Sequence, residues 1–235
     1  MGPSVTPPLV TCICPTASRR DFLRAAIGHF SAQDYPAKRL VIVEDGRESN
    51  VDLLDVVPPG VPVEFLNQIT YVYLDGPRRT IGEKRNRACE IAGAGLIAHW
   101  DDDDWHHPRR LSIQIAAMRA AGARLCGMDR LVFYDGAQAW LYRSDDPNFL
   151  AGGSLIYERA LWRDQPFEHR SNGEDTLFVR AALGRDVKIA KVANEKLYVA
   201  RVHAGNTAPK NTADRQWGGF DVQRVRRWID EKEAV

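Results

Sequence analysis

The chain has 235 residues, of which 32 are lysine or arginine and 31 are aspartate or glutamate, so its formal net charge is +1. This balance excludes a protein that is drawn to nucleic acid or to an anionic membrane by its overall charge, and local groups of residues must carry any function. At this length one large domain, which buries roughly 70% of the surface of its unfolded chain, is favoured over two small ones.

The apolar segments and the cysteines favour a soluble protein of the cytoplasm. No apolar stretch approaches the ~18 residues of a membrane-spanning helix, and the first residues lack the pattern of a signal peptide. Four cysteines are scattered, and Cys12 and Cys14 lie in an apolar run where cysteine acts as a small hydrophobic residue. A reducing compartment fits this usage best, while metal-site and disulfide interpretations of the cysteines stay open.

The first part of the chain predicts a β-α-β unit. Apolar residues indicate a strand over 9–14, a helix over 21–30 by its spacing, and a second strand over 40–43. Such a unit has a right-handed crossover and starts a parallel sheet. Glu44 and Asp45 follow the second strand directly, where acids can accept hydrogen bonds from a nucleoside base or ribose. A plain turn is the alternative.

A third strand is predicted over 69–74 by its β-branched and aromatic content, after a proline-rich loop over 50–62. The segment 76–86 then carries four cations and merges into a helix. Backbone amides at that helix start, together with Lys84 or Arg85, would hold a pyrophosphate, whereas an exposed basic helix end is the alternative. The first ~100 residues therefore resemble a nucleotide-binding α/β half.

The most unusual feature is a run of four aspartates between Trp100 and Trp105. They are Asp101, Asp102, Asp103 and Asp104. A strand over 96–98 leads into the run, and a helix with Pro108 in its first turn is predicted to follow it. Adjacent like charges must be solvated, paired or bound to a cation. Because residues i and i+2 point the same way in a strand or tight turn, Asp101 and Asp103 can share one Mg²⁺ or Mn²⁺ ion. A solvated acidic loop or an acidic helix start is the alternative.

The second half of the chain is less regular. Strands over 131–134 and 139–142 flank Asp135 and Gly136, a two-residue hairpin signal, so antiparallel strands are predicted to join the sheet. The glycines within 149–154 permit a close approach of the backbone to another group.

Two acids precede a predicted amphipathic helix over 177–183. Ser171 or Asn172 is predicted to cap this helix, and its dipole would stabilise Glu174 and Asp175 in the first turn. The functional interpretation makes Asp175 a general base that takes a proton from an acceptor hydroxyl, because an alcohol is otherwise a poor nucleophile. Glu174 would then hold a neighbouring hydroxyl.

A single histidine follows the strand that is predicted over 197–202. His203 is either a surface histidine or part of a carboxylate and imidazole shell, which would favour Mn²⁺ over Ca²⁺. The polar segment after Asn206 is a candidate lid, and it leads to a predicted helix over 221–233.

In order and spacing, these stretches resemble the family 2 glycosyltransferases of the GT-A fold over residues 9–207. The matching residues are Cys14-Pro15-Thr16, Ser31 to Pro36, Val43 to Gly46, Lys84-Arg85-Asn86, the four aspartates with Pro108 and Leu111, Gly173-Glu174-Asp175 and His203. The resemblance implies an α/β fold with a mixed, mostly parallel central sheet flanked by helices. It implies a single Rossmann-like domain over 1–235, with a nucleotide-sugar-binding half to about 110, an acceptor-binding half over about 111–207, and a C-terminal lid and helix over 208–235.

The resemblance also implies an activity and its residues. The activity is inverting transfer of a sugar from a nucleoside-diphosphate sugar, with UDP preferred, to a carbohydrate or other hydroxyl acceptor, and it uses Mn²⁺ or Mg²⁺. Asp175 would be the catalytic base beside Glu174, and Asp103 would bind the metal with His203 and Asp101. The residues implied for the nucleotide sugar are Pro15, Thr16, Glu44, Asp45, Lys84, Arg85, Asp101 and Asp102. Because the family usually has two aspartates where this chain has Glu44 and Asp45, either one can meet the base.

Two other function classes stay open. A sugar nucleotidyltransferase would favour a glycine-rich basic loop after the first strand, whereas residues 14–20 contain arginines and no glycine. A non-catalytic nucleotide-sugar-binding protein of the same fold would not need Asp175 beside the metal cleft. Four aromatic residues are candidates for stacking on an acceptor or for the core, and they are Trp105, Trp140, Tyr142 and Trp162.

Overall fold

A computed structural model of the chain describes residues 6–46, 52–93, 95–207 and 210–230. The strands are β1 (Val10–Thr16), β2 (Lys38–Asp45), β3 (Ile69–Leu74), β4 (Leu96–His99), β5 (Trp105–His106), β6 (Leu125–Met128), β7 (Arg130–Tyr134), β8 (Ala139–Arg143), β9 (Ile156–Glu158), β10 (Ile189–Val192), β11 (Tyr198–Arg201) and β12 (Trp217–Gly219). The α-helices are α1 (Arg20–Ser31), α2 (Leu53–Val56), α3 (Ile81–Ile91), α4 (Arg110–Ala120), α5 (Arg159–Asp164), α6 (Glu174–Leu183) and α7 (Val222–Asp230). None of these described helices is both long and apolar enough to cross a membrane.

A seven-stranded sheet forms the centre of the fold, in the order β10-β6-β9-β4-β1-β2-β3. Its strands run parallel except for β9, which is antiparallel to both of its neighbours. Every residue of β1 is buried, as expected for a parallel strand that is covered on both faces. The predicted β-α-β unit and the predicted mixed, mostly parallel sheet are confirmed.

The register of the central strands places the predicted site residues together. Thr16 at the end of β1 pairs with Glu44 at the end of β2, and Ile13 pairs with His99 at the end of β4. The residues that follow β4 therefore lie level with Thr16. The acidic run leaves the sheet at this edge, where the carboxyl ends of the parallel strands meet.

A second, five-stranded sheet has the order β12-β8-β7-β11-β5. The predicted hairpin is present as the antiparallel pair β7 and β8, but it belongs to this second sheet and does not join the central one. Its turn spans residues 135–138 rather than two residues, because the Asp135 carboxylate accepts the N–H groups of Ala137 and Gln138. The central sheet is completed instead by β6, β9 and β10, none of which was predicted as a strand.

The ends of two helices differ from the predictions. Pro108 precedes α4 by two residues, because the short strand β5 and a turn that bonds Arg110 N–H to the His107 carbonyl separate the acidic run from this helix. Neither Ser171 nor Asn172 caps α6, whose N-cap is Gly173 at φ 77°. The Ser171 hydroxyl instead accepts the backbone N–H of Ile81 and so joins the starts of α3 and α6.

Two other predicted segments extend beyond the described residues. The loop predicted over 50–62 contains α2, and its first two residues lie outside the described part of the chain. The last predicted helix is present as α7, and residues 231–233 of the prediction also lie outside.

Candidate active site

A cavity of about 830 Å³ lies at the carboxyl edge of the central sheet and extends over the second sheet. Most of the predicted site residues line it, namely Pro15, Thr16, Lys84, Arg85, Asp101, Asp102, Asp103, Glu174 and Asp175. Glu44, Asp45 and His203 do not line it. Asp45 and His203 instead bond to the lining residues Lys84 and Asp103, and Glu44 pairs with Thr16 across the sheet.

Lys84 connects the ends of β1 and β2. Its ammonium group donates to the Thr16 carbonyl at 2.9 Å and to Asp45 Oδ1 at 2.8 Å, and both charged side chains are buried. Glu44 is also buried, and it accepts the Ser18 backbone N–H at 2.7 Å and the Tyr71 hydroxyl. These acids therefore fix the loop after β1 and the neighbouring strand β3.

The start of α3 positions Lys84. Thr80 and Glu83 form a capping box, in which Thr80 Oγ1 accepts the Glu83 N–H at 3.2 Å and Glu83 Oε2 accepts the Thr80 N–H at 2.8 Å. Gly82 lets this first turn pack closely, because a Cβ there would overlap the backbone carbonyl of Glu168. The first turn of α3 is thus fixed against the segment that precedes α6.

Asp102 and Asp104 face inward. Asp102 accepts the Thr16 hydroxyl at 2.6 Å and the Arg19 Nε–H at 3.1 Å. Burial raises the pKa of Asp102 to about 7, although the neighbouring Arg19 lowers it. Asp104 accepts the Tyr198 hydroxyl and the Arg201 backbone N–H, and burial raises its pKa well above its usual range. These two carboxylates hold the acidic turn against β1 and β11.

Asp101 and Asp103 are more exposed to the cavity but have different partners. Asp101 Oδ1 accepts from Arg85 Nη2 at 3.0 Å. Asp103 Oδ2 lies 2.9 Å from Arg19 Nη1 and 3.1 Å from His203 Nε2. His203 is stacked on Phe22 of α1, with ring centroids 4.9 Å apart. The predicted alternation is present in the burial of the four side chains, and Asp101 and Asp103 are bonded to different partners.

The three predicted metal ligands do not form a complete cluster. Across 6–46, 52–93, 95–207 and 210–230, no group of three or more His, Cys, Asp or Glu side chains is arranged to hold an ion. Asp103 and His203 nevertheless meet at one oxygen. A carboxylate and an imidazole together fit a first-row divalent cation such as Mn²⁺, whose other positions diphosphate oxygens can fill.

The other side of the cavity is formed by the first turn of α6. Glu174 is buried and accepts from Arg85 Nη1. Burial raises the pKa of Glu174, and Arg85 counteracts this shift. Asp175 lies against Gly152. A Cβ added at Gly152 would overlap the Asp175 carboxylate and would lie 2.9 Å from the Asp175 Cβ. The close backbone approach predicted for this glycine-containing segment is therefore confirmed.

Several lining residues were not predicted from the sequence. Arg19 is the most important, and its only sequence signal is a pair of arginines shortly after Thr16. Of the four candidate stacking residues, only Tyr142 lines the cavity. Trp140 packs against the hydrophobic core, and Trp105 and Trp162 are buried within the core. The other aromatic lining comes from Phe133, Phe149, Tyr198 and Trp217.

Comparison with known proteins identifies the family. The family model described as glycosyl transferase family 2 matches residues 11–178, which is more than half of the chain. The chain belongs to glycosyl transferase family 2. It is therefore a glycosyltransferase, as the resemblance implied. A search of curated proteins gave no match for this glycosyltransferase.

Solved structures similar to this glycosyltransferase show its fold. S. aureus TarS superposes with a TM-score of 0.65 at 17% identity, over 83% of this chain and 37% of that one. S. aureus TarS 1–349 in complex with UDP-GlcNAc superposes with a TM-score of 0.65 at 18% identity, over 95% of this chain and 66% of that one. The mannosyltransferase PcManGT from Pyrobaculum calidifontis, in complex with GDP-Man and Mn²⁺, superposes with a TM-score of 0.62 at 14% identity. This match covers 87% of this chain and 58% of that one. The predicted GT-A fold is confirmed, and the chain spans less than two thirds of each of these chains.

Proposed function

We propose that this family 2 glycosyltransferase transfers a sugar from a nucleoside-diphosphate sugar to an acceptor hydroxyl, with inversion at the anomeric carbon. The observation that carries the proposal is that one cavity is lined by both Asp103 and Asp175. The donor class is supported by the complexes of the similar structures with UDP-GlcNAc and with GDP-Man. A UDP-sugar is the preferred donor.

The first ~110 residues would form the donor side of the cavity, as in the nucleotide-binding sites of α/β proteins. Pro15 and Thr16 would contact the nucleoside, and Glu44 and Asp45 would position them through Ser18 and Lys84. Residues 111–207 would supply the acceptor side. Lys210 and Trp217 of the segment over 208–235 line the cavity, which supports a lid role for that segment.

Asp103 and His203 would hold a Mn²⁺ or Mg²⁺ ion, because their side chains meet at Asp103 Oδ2. When bound there, such an ion supplies positive charge that stabilises the departing diphosphate. Arg19 contacts the same carboxylate oxygen and places a second positive charge beside it.

Asp175 would act as the general base. Its carboxylate takes the proton of the acceptor hydroxyl while the acceptor oxygen bonds to the anomeric carbon. The bond from that carbon to the diphosphate oxygen breaks, and the nucleoside diphosphate leaves with the electron pair. One displacement without an enzyme nucleophile inverts the anomeric configuration.

Donor turnover tests the proposal without knowledge of the acceptor. The protein is incubated with Mn²⁺ and UDP-GlcNAc, UDP-glucose or GDP-mannose, and the released nucleoside diphosphate is measured by chromatography. We expect slow release from one donor. Asp175→Asn should abolish it and leave calorimetric UDP affinity within about twofold, because only the transition state loses an interaction.

The matched control is Asp164→Asn, whose carboxylate is half exposed and lies 4.0 Å from Arg185. This variant should keep the wild-type rate. Wild-type turnover by Asp175→Asn would contradict the assignment of the base. No release from any donor would contradict the proposed activity.

A further inference from the structure

One buried arginine joins the donor side of the cavity to the acceptor side. Arg85 is only 3% exposed. Its Nη2 donates to Asp101 Oδ1 at 3.0 Å, and its Nη1 donates to Glu174 Oε1. Asp101 belongs to the acidic turn after β4, whereas Glu174 opens α6, so a single guanidinium spans two separate elements.

We propose that Arg85 is a positioning residue, which sets the distance between the acidic turn and the base Asp175 and does not bind the donor diphosphate. This inference rests on the proposed function, in which Asp175 is the base. It differs from the sequence-based prediction, which placed Arg85 with Lys84 at a pyrophosphate.

The different directions in which the Lys84 and Arg85 side chains extend from α3 support this role. Successive residues on a helix point about 100° apart, since a turn takes 3.6 residues. Lys84 accordingly reaches Thr16 and Asp45 on the donor side, and Arg85 reaches α6. Of these two neighbouring side chains, Lys84 therefore contacts the donor side, and Arg85 joins that side to the acceptor side.

The positive charge of Arg85 is already more than compensated by neighbouring carboxylates. Asp101, Glu174 and Asp175 all favour its protonated form, and together they raise its pKa. Its Nε is buried and has no hydrogen-bond partner among the described residues, so this nitrogen is closed to a ligand. A guanidinium that already serves three carboxylates exerts little attraction on a diphosphate. Its planar shape is, however, suited to fixing two carboxylates at once.

A glycine turn packs against Asp101 and against Asp175, the residue that follows Glu174. A Cβ at Gly152 would overlap Asp175, and a Cβ at Gly153 would lie 2.8 Å from Asp101 Oδ2. The carbonyls of this turn are themselves fixed by side chains of fully buried residues. His99 Nδ1 bonds to Gly152 O at 2.7 Å, and Arg110 Nη2 bonds to Gly153 O at 3.0 Å. Asp101 thus lies between Arg85 and this turn, while Asp175 packs against the turn and directly follows Glu174, which Arg85 holds.

The test compares nucleotide binding with turnover in variants of the whole protein. Arg85→Lys keeps the charge but cannot reach both carboxylates, and Arg85→Gln removes the charge. Both should bind UDP with Mn²⁺ within about twofold of wild type by calorimetry, and kcat for donor turnover should fall about 100-fold, as for a misplaced catalytic group. Glu174→Gln should lower kcat in the same way. Arg87→Gln, at an exposed neighbouring position whose side chain pairs with Glu90, is the control and should change neither quantity.

The opposite pattern would overturn the proposal. A tenfold loss of UDP affinity with unchanged kcat in Arg85→Lys would make Arg85 a diphosphate ligand, and wild-type kcat in Arg85→Gln would remove any role. If Arg85→Gln does not fold, Arg85→Lys and Glu174→Gln carry the same test.

A second measurement is independent of activity. In urea unfolding of Arg85→Lys, Glu174→Gln and the double variant, we expect the losses of stability to be non-additive, because the two side chains are in contact. Strictly additive losses would contradict the link between the two elements. If the wild-type protein turns over no donor, the proposed function fails, whereas this cycle still decides whether Arg85 connects α3 to α6.

Discussion

Gly152→Ala tests whether the position of Asp175 controls the reaction. The added methyl group would overlap the Asp175 carboxylate and lie 2.9 Å from the Cβ of Asp175. Ordinary carbon contacts are about 3.5–4.0 Å. Because the added carbon would overlap Asp175 Oδ2, either the carboxylate or the glycine turn must move by more than about 1 Å. The turn is held by His99 and Arg110, and we therefore expect Asp175 to move.

A displacement of this size has a predictable cost. A catalytic group that is misplaced by about 1 Å loses about 100-fold in rate. Overpacking of this kind also destabilises a fold by about 1–3 kcal/mol, which lowers the melting temperature without unfolding a domain of this size at 25 °C. Binding of UDP should be unaffected, because the donor side of the cavity is not changed.

The assay measures nucleoside diphosphate release, UDP affinity and thermal unfolding for Gly152→Ala. Gly219→Ala is the matched control, because a Cβ there meets no atom within 4 Å. The control should behave as wild type in all three measurements. A folded Gly152→Ala protein with wild-type kcat would refute the placement of Asp175 as the base.

Three further predictions concern the donor side and the core. Asp103→Ala should abolish the Mn²⁺ dependence of UDP binding, and equal calorimetric affinity of wild type with and without Mn²⁺ would contradict this role. Lys84→Met leaves Asp45 buried without its ion pair, so we expect a loss of about 3–5 kcal/mol in urea unfolding, and a loss below about 1 kcal/mol, as for an exposed pair, would contradict it. Burial raises the pKa of Cys12 to about 12 and shifts the pKa of the other three thiols in the same direction. Because only the thiolate reacts, a disulfide reagent at pH 8 should label these cysteines only after unfolding, and rapid labelling of the native protein would contradict their burial.

Local sequence patterns predicted the elements on which the site is built. The strand over Ile69–Leu74 has the predicted bounds, and β1, α1 and β2 follow in the predicted order. These elements are continuous apolar or amphipathic runs whose periodicity is visible without any partner. The likeness of the acidic run and the Glu174-Asp175 pair to a known family then supplied the candidate site.

Two strands, one in each sheet, could not be predicted in the same way. Leu125–Met128 is a four-residue strand without alternation, and Trp217–Gly219 forms a strand only through its pairing with β8. The predicted cap of α6 was wrong for a similar reason, because the Ser171 hydroxyl accepts the backbone N–H of Ile81 at the start of α3. Each of these features depends on a partner far away in the chain, which a local pattern does not contain.

The four consecutive aspartates show why one motif can have several roles. Burial alternates along this turn, so the Asp101 and Asp103 side chains stay 26% and 13% exposed, whereas Asp102 and Asp104 are buried. The buried pair, bound to Thr16 and Tyr198, holds the turn in place. The more exposed pair then divides, one member to Arg85 and the other to His203. Because every carboxylate has a protein partner, the turn is shaped before any ligand arrives. Loss of Asp103 should therefore affect ligand binding, and loss of either buried aspartate should affect the shape of the site itself.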